Sequence, residues 1–349
     1  MQADIVSHFF NNQPMKYKFT FVSLLFPFLL FSQGNNVHDD LDSIIHFAST
    51  RSVYRDNVNW ETVAKEMHRL SAGAMTVPDL VPALDYMFME LGDEHGRAFY
   101  KNQVLAYYYT DIFEEHQKGF DPDIYFEVQG NKVYAFGAHM FNNRIGYIRI
   151  VGLPMGDNTK MAKDIQDGVC RLINEGADRW VIDLRYNGGG NMNPMVEGLT
   201  SIIGNGPAGG ATGVGPEDNI EWEIRDGDFY NHGYSIRLPN DCPLDNLPKV
   251  AVLTSLYTAS SGEALAVIFK GRPHTRFFGA KTLGFVSGII QEAINDSVSI
   301  SLATSFFRDR KGVIYDEYVD VDEYEVFNRK EPLSADPCFL KAVSWLEED

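Results

Sequence analysis

Two adjacent serines follow a predicted strand in the segment TASSGEA (258–264). The run KVAVLTS (249–255) before it is typical of a buried strand, and ALAVIFKG (264–271) continues a helix. A serine in the first turn of a helix is well placed as a nucleophile, because the helix N-terminus favours negative charge and the next N–H can hold an oxyanion. The same pattern is typical of a helix cap, with Glu263 completing a capping box. Taken alone, Ser260 is therefore predicted to be a cap.

Three consecutive glycines occur in DLRYNGGGN (183–191), directly after the short apolar strand WVIDL (180–184). Such a run lets the backbone approach a ligand closely and present its N–H groups. A phosphate loop would need a Lys-Ser/Thr pair that is absent here, and the spacing does not fit a nicotinamide-cofactor loop. A tight strand-to-helix turn explains the glycines equally well, with Asp183 and Arg185 paired to brace it.

The third candidate is the histidine of LGDEHGRAFY (91–100). It follows a predicted helix with Asp79 as its cap and Gly92 as its stop. The apolar face of that helix consists of Leu80, Leu84, Met87 and Leu91. Histidine is the usual base for an activated serine near neutral pH, so His95 is a candidate base, and His139 is an alternative.

The elements that must position these residues alternate between strand and helix. The strand IGYIRIVG (145–152) precedes a helix capped by Asn158 and stopped by Gly176. The apolar face of that helix consists of Met161, Ile165, Val169 and Leu172. This alternation predicts parallel βαβ units.

Two further segments are predicted outside this core pattern. The segment FEVQGNKVYAFG (126–137) indicates a hairpin turning at Gly130-Asn131. The Gly/Pro/Asp-rich stretch 205–247 is predicted to be an excursion from the core, with an edge strand at 220–227.

Together the motifs LGDEH, IGYIRI, DLRYNGGGN and TASSGE, in this order, resemble the S41 family of serine peptidases. The resemblance implies an α/β fold with a ClpP/crotonase-like core of βαβ units and a small N-terminal helical domain. It also implies that Ser260 is the nucleophile and that the N–H groups of Ser261 and Gly189 form the oxyanion hole. His95 matches the base of the tricorn-like branch of the family.

Other positions depart from the family pattern. The C-terminal processing branch uses a Ser-Lys dyad, but Phe285 occupies the position of that lysine and Lys281 lies four residues earlier. The tricorn-like branch carries a supporting carboxylate near a position that holds Tyr315 here. Asp316 and Glu317 are the candidate orienting acids after a shift of one or two residues.

The resemblance, together with the basic and apolar amino-terminal segment, sets the expected domain organisation. We expect a signal peptide over 1–33, a helical domain over 34–100 and the catalytic core over 101–349. Only 49 positions separate His95 from Arg144, too few for the PDZ domain that many relatives insert there.

The amino-terminal segment predicts export. Lys16 and Lys18 precede the apolar run FTFVSLLFPFLLFSQG (19–34), which is typical of a secretory leader, and Met15 is a candidate start. The run is shorter than the about 20 residues that a membrane span requires. Pro27 in its middle also argues against the alternative, a membrane anchor. We therefore expect a periplasmic or extracellular protein with no membrane span once the leader is removed.

Composition narrows the partners and cofactors. The chain of 349 residues has 30 Lys+Arg and 48 Asp+Glu, a net charge of −18 that argues against nucleic-acid binding. Three cysteines permit one disulfide with one spare thiol, in any pairing. No metal-ligand spacing is visible, so neither a metal nor another cofactor is predicted.

The expected activity is hydrolysis of peptide bonds in a peptide or protein substrate, by Ser260 with His95 as base. Two alternatives remain: a non-catalytic carrier of a hydrophobic ligand or peptide on the same scaffold, and a crotonase-type acyl-CoA enzyme. The leader argues against the acyl-CoA enzyme, because CoA substrates are intracellular. The sequence does not determine the oligomeric state.

Overall fold

The computed structural model describes residues 36–108, 136–239, 241–326 and 332–348. The predicted leader over 1–33 and the predicted turn at Gly130-Asn131 lie outside these ranges. Among the described helices, none combines the length and apolar character that a membrane crossing requires.

Among the residues that the structure describes, helices occur in three groups. Three precede the His95 motif, three lie between strands in the middle of the chain, and the last two are the helix after TASS and a carboxyl-terminal helix. They are α1 (Val37–Arg51), α2 (Trp60–Leu70), α3 (Val81–Leu91), α4 (Asn158–Asn174), α5 (Met192–Glu197), α6 (Thr200–Ile203), α7 (Ser261–Phe269) and α8 (Pro337–Glu347).

One of the two described sheets is mostly parallel and has six strands in the order β15-β11-β10-β5-β4-β3. These strands are β3 (Phe136–Phe141), β4 (Ile145–Ile150), β5 (Arg179–Asp183), β10 (Lys249–Thr254), β11 (Thr275–Gly279) and β15 (Glu323–Tyr324). The successions β4-α4-β5 and β10-α7-β11 each join parallel neighbours, which confirms the predicted βαβ units.

The other described sheet has nine strands and an antiparallel core path, β2-β1-β13-β6-β7-β8-β9, with β12 and β14 both pairing with β13. These strands are β1 (Arg97–Tyr100), β2 (Gln103–Ala106), β6 (Gly206–Gly213), β7 (Ile220–Arg225), β8 (Asp228–Asn231), β9 (Tyr234–Ser235), β12 (Ser287–Ala293), β13 (Val298–Arg308) and β14 (Ile314–Tyr315). The predicted α/β class is thereby confirmed.

The amino-terminal helices share a hydrophobic core with this second sheet. Leu84 and Met87 of α3 are buried in one cluster with Ala98 of β1 and with Ile300 and Leu302 of β13. The helices therefore pack onto a strand that lies more than 200 residues later in the chain. The division of the chain at residue 100 stays a prediction.

Three local predictions need correction. The helix α4 begins at Asn158, but its cap is Asp157, whose carboxylate accepts a hydrogen bond from the Lys160 N–H. Asp79 does not cap α3: it is the third residue of the preceding 3-10 turn (Val77–Leu80), where its carboxylate accepts a hydrogen bond from the N–H of Thr76, the cap of that turn. The helix α3 begins only after this turn. The stretch 205–247 is not an excursion from the core, because it supplies β6 to β9 of the nine-stranded sheet.

The predicted edge strand at 220–227 is also corrected by the sheet order. Strand β7 lies between β6 and β8, so both of its edges are hydrogen-bonded. A local pattern of Gly, Pro and Asp indicates turns, but it does not show that the short strands between those turns join a strand as distant as β13.

Candidate functional site

Ser260 lies at a sharp turn between β10 and α7, with φ 53° and ψ −119°. A positive φ is strained for a residue with a side chain, and such strain persists only where the surroundings impose it. A serine on a strained strand-to-helix turn is a recurrent arrangement for an exposed nucleophile.

The glycine loop after β5 is joined to this serine turn by several hydrogen bonds. The Ala259 N–H donates to the Asn187 carbonyl at 2.9 Å, and the Ser261 Oγ donates to the Gly190 carbonyl at 2.8 Å. The Thr258 Oγ1 donates to the carbonyl of Leu184 at 2.8 Å. The carboxyl ends of β5 and β10, which are parallel neighbours, thus present both motifs at one edge of the sheet.

Gly189 lies directly against Ser260. A Cβ on Gly189 would lie 2.9 Å from the Ser260 Cβ and 3.1 Å from the Ser261 nitrogen, and its φ of +102° also favours glycine. The Gly189 N–H donates to the Asn187 Oδ1 at 3.0 Å. Asn187 therefore fixes the orientation of the loop that lies beside the serine.

A buried ionic group anchors the start of this loop. Arg185 contacts Asp183 at 2.7 Å and Asp336, the cap of α8, at 2.5 Å. Tyr147 donates to Asp183 at 2.7 Å. Burial raises the pKa of Asp183, but the Arg185 charge and these hydrogen bonds outweigh it, so the pKa is lowered overall. The predicted pairing of Asp183 with Arg185 is confirmed.

His95 lies in a turn between α3 and β1. The helix α3 ends at Gly92 in the left-handed conformation, as predicted. The buried Asp93 carboxylate accepts hydrogen bonds from the His95 N–H at 3.1 Å and from the Ala303 N–H of β13 at 3.0 Å. This carboxylate therefore fixes the histidine turn to the nine-stranded sheet.

The His95 ring has two defined neighbours. Its Nδ1 lies 2.9 Å from the Ser287 Oγ, and Phe285 stacks on it with ring centroids 4.8 Å apart. Burial, together with the nearby Arg97 charge, lowers the pKa of His95 to about 3. The imidazole is consequently neutral at pH 7, so one of its ring nitrogens is an acceptor.

Glu263 connects the serine turn to the segment that contacts His95. Its carboxylate accepts hydrogen bonds from the Ser260 N–H and the Gly284 N–H, each at 2.8 Å. Burial raises the pKa of Glu263 to about 7. Hydrogen bonds from neighbouring groups, including the Phe285 N–H, lower the pKa but do not offset the burial. The predicted bond from the Glu263 carboxylate to the backbone of Ser260 is confirmed, and the same carboxylate links Ser260 indirectly to His95.

The structure does not bring every predicted site residue together. The described hydrogen bonds of His95 do not include Ser260, Asp316 or Glu317. Lys281 points elsewhere, with its Nζ 4.5 Å from the centre of the Tyr318 ring. The assignment of an orienting acid to Asp316 or Glu317 stays a prediction, and Ser287 is the observed Nδ1 partner.

Sequence reasoning missed Ser287 and Asn187. Ser287 lies 192 positions from His95, so no local pattern connects them. Asn187 immediately precedes the glycine run, and this position is the feature of the sequence that points to a role in the loop. Within the described ranges, no group of three or more His, Cys, Asp or Glu side chains could hold a metal ion.

The fold and the site define an α/β protein with a serine on a strained turn beside a glycine loop. Residues 144–322, more than half of the chain, match peptidase family S41, and the chain belongs to this family. The match therefore places the chain in a family of serine peptidases.

A curated protein matches part of the chain. The chain is 27% identical over 168 residues to the nisin-resistance protein of Lactococcus lactis subsp. lactis, covering 48% of this chain and 49% of the relative. The chain thus spans about half the length of this curated relative.

Solved structures share the fold. A lipoprotein from Streptococcus agalactiae has a TM-score of 0.65 at 18% identity, covering 94% of this chain and 99% of the other. The photosystem II D1 C-terminal processing protease has a TM-score of 0.54 at 14% identity, covering 83% and 93%.

Proposed function

We propose that this protein is an exported peptidase in which Ser260 is the nucleophile and His95 the general base. His95 takes the Ser260 proton as the Oγ attacks the scissile carbonyl, and the Ser261 N–H stabilises the oxyanion. The Gly189 N–H joins it by exchanging the Asn187 Oδ1, to which it donates in the substrate-free protein, for the oxyanion. The protonated His95 then gives its proton to the leaving amine. Water, activated by His95 in turn, hydrolyses the acyl-enzyme.

The observation that carries this proposal is the strained Ser260 turn packed against the glycine loop. A Ser260 that acted only as a cap would not need a positive φ, because a cap residue normally has extended backbone. The Glu263 carboxylate adds a second link, since it joins Ser260 to the segment that stacks on His95. Catalytic hydrogen bonds are often long in substrate-free structures and shorten in the substrate complex.

Export is supported by a disulfide between Cys170 and Cys242. Disulfides persist in oxidising compartments such as the periplasm or the extracellular space and are rare in the cytosol. The basic, apolar leader pattern over 1–33 agrees with that compartment.

Labelling with a fluorophosphonate tests the nucleophile. We expect wild-type protein to gain the mass of one phosphonyl adduct and Ser260→Ala to gain none. Ser261→Ala is the matched control: it keeps the backbone N–H and the neighbouring position, so it should still be labelled. Peptide mapping that finds the adduct on another residue would contradict the assignment.

A second function has one observation in its favour. His95 has no described hydrogen bond to Ser260, and its Nδ1 partner is the neutral Ser287, as a non-catalytic carrier would permit. Wild-type protein that is folded by circular dichroism, is not labelled, and binds a peptide without cleaving it would favour the carrier.

A further inference from the structure

The strand β12 has one long edge with no strand partner among the described residues. It pairs with β13 on one side only. Its first residue, Ser287, lies 2.9 Å from the Nδ1 of the His95 ring through its Oγ. The unpaired edge therefore begins at the candidate site and leads away from it.

The hydrogen-bond register shows which backbone groups face this edge. The Ile294 N–H donates to the Val298 carbonyl at the end of the β12–β13 hairpin. In an antiparallel pair, hydrogen-bonded and non-hydrogen-bonded positions alternate. The N–H and C=O groups of Ile289, Gln291 and Ala293 therefore point away from β13, toward the unpaired edge.

This edge is also exposed and partly apolar. The residues from Ile289 to Ala293 are all exposed, and the two isoleucines keep 41% and 36% of their surface accessible. Edge strands are normally protected by charge, proline or a covering element, because their free N–H and C=O groups pair with other chains. An extended peptide pairs readily with such an edge.

A groove of about 630 Å³ lies at the far end of β12, between this strand and α1. Asp42 and Glu292 are acidic groups of its lining, while Arg51 of the lining is already paired with Asp218. Asp42 lies 3.2 Å from the His68 ring, and Glu292 has no ion pair within the described part of the chain. The groove therefore has an excess of negative charge that suits a basic side chain.

We propose that the substrate is a basic peptide that binds as an additional strand along the unpaired edge of β12, with a Lys or Arg side chain in the groove beside Glu292. This inference rests on the proposed peptidase function. Glu292 lies five positions after Ser287 along the strand, or about 17 Å, so the basic residue lies about five positions from the scissile bond. A second copy of this chain fits less well, because it would bring another net charge of −18 to the same groove.

The first test measures binding to the Ser260→Ala protein, so that cleavage is not needed. The probe is a fluorescein-labelled dodecapeptide of Ala, Ser and Thr with one Lys, which is moved through successive positions. We expect Gln291→Pro to weaken binding about tenfold, because it removes an N–H from the free edge without removing one from the β13 ladder. Gln291→Ala, which loses the same side-chain contact with Ser299, is the control and should bind normally.

The second test addresses the charge. Glu292→Gln and Asp42→Asn should each weaken binding of the Lys peptide severalfold and leave a peptide with Ser in place of Lys unaffected. Asp245→Asn, in a separate groove that shares no lining residue with this one, is the matched control and should change neither affinity.

Equal binding by Gln291→Pro and Gln291→Ala would overturn strand addition, and equal affinity for Lys and Ser peptides would overturn the basic specificity. Both outcomes are separable from failure of the proposed function. That failure would be peptide binding with the expected variant effects but no cleavage and no labelling of wild-type protein.

Discussion

At the scale of single residues, the environment of His95 decides what the site can do. Burial keeps the imidazole neutral at pH values far below the usual histidine pKa. Contacts with Ser287 and Phe285 fix the ring. Phe285 occupies the position at which the processing branch of the family has its lysine base. In this structure that position holds an aromatic ring that packs on His95.

The identity of the base gives the first prediction. His95→Ala should lower the peptide cleavage rate by a factor of about 10² to 10⁴, the usual contribution of a general base. Lys281→Ala should largely spare it, because Lys281 contacts the Tyr318 ring. Steady-state cleavage of a fluorogenic peptide measures both, and the reverse order of effects would exclude His95 as the base.

Ser287 is proposed to position His95, and its replacement is the second prediction. Ser287→Ala should lower kcat about tenfold or more with little change in KM, because the ring loses its Nδ1 partner but the peptide edge is intact. Ser287→Thr retains the hydroxyl and should recover most of the rate. Equal losses in both variants would indicate a packing defect in place of a positioning role.

The pH profile of wild-type cleavage gives the third prediction. The pKa of His95 is lowered to about 3, so its neutral form persists as pH falls well below 6.5. We therefore expect kcat/KM to show no acid limb near pH 6.5 from this group. An acid limb centred near pH 6.5 would contradict this prediction and show that His95 is solvated in the working enzyme.

At the scale of elements, the short helix α5 carries a buried carboxyl group that titrates in an unusual range. Glu197 accepts a hydrogen bond from the Phe229 N–H of β8 at 2.7 Å and is only 1% exposed. Burial, with a contribution from Asp228, raises its pKa from 4.5 to about 7. The protonated Glu197 carboxyl therefore contributes its full stabilising effect below pH 4.5, and this contribution is lost as pH rises through 7.

The fourth prediction follows from this loss of stability as pH rises. Glu197→Gln keeps an oxygen for the Phe229 N–H but cannot ionise, so its free energy of unfolding at pH 8 should exceed that of wild type by about 2–3 kcal/mol. At pH 4.5 the two should be nearly equal. Denaturant titrations at both pH values measure the difference. Glu175→Gln, at an exposed ion pair at the end of α4, is the control and should show no such pH dependence.

The elements also show how far local sequence patterns reach. Apolar periodicity placed α3, α4 and the strands that precede the glycine loop and Ser260, because each of these elements has its own buried face. The pairing of β6 with β13 joins residues about 95 positions apart, which no local pattern encodes. No local pattern encodes the contact between Ser287 and His95 either, because these residues are 192 positions apart. Capping residues were misplaced by one position where Asp157 and Asn158 compete for the same role.

At the scale of the whole molecule, the disulfide links α4 to the segment between β9 and β10. Cys170 and Cys242 are 72 positions apart, whereas Cys338 is buried as a free thiol. The sequence alone left the pairing open. Closing a loop of this length lowers the entropy of the unfolded chain, which corresponds to about 4 kcal/mol of stability.

The fifth prediction is that this link stabilises the protein substantially. Replacing both Cys170 and Cys242 by alanine should lower the free energy of unfolding by about 4 kcal/mol in guanidinium titrations, because the unfolded chain regains its freedom. Cys338→Ala is the control and should cost about 1 kcal/mol, since it shortens one buried side chain and closes no loop. Reducing agent should bring wild type down to the level of the double variant and leave that variant unchanged. Equal stability of wild type with and without reducing agent would contradict the disulfide as a stabilising link.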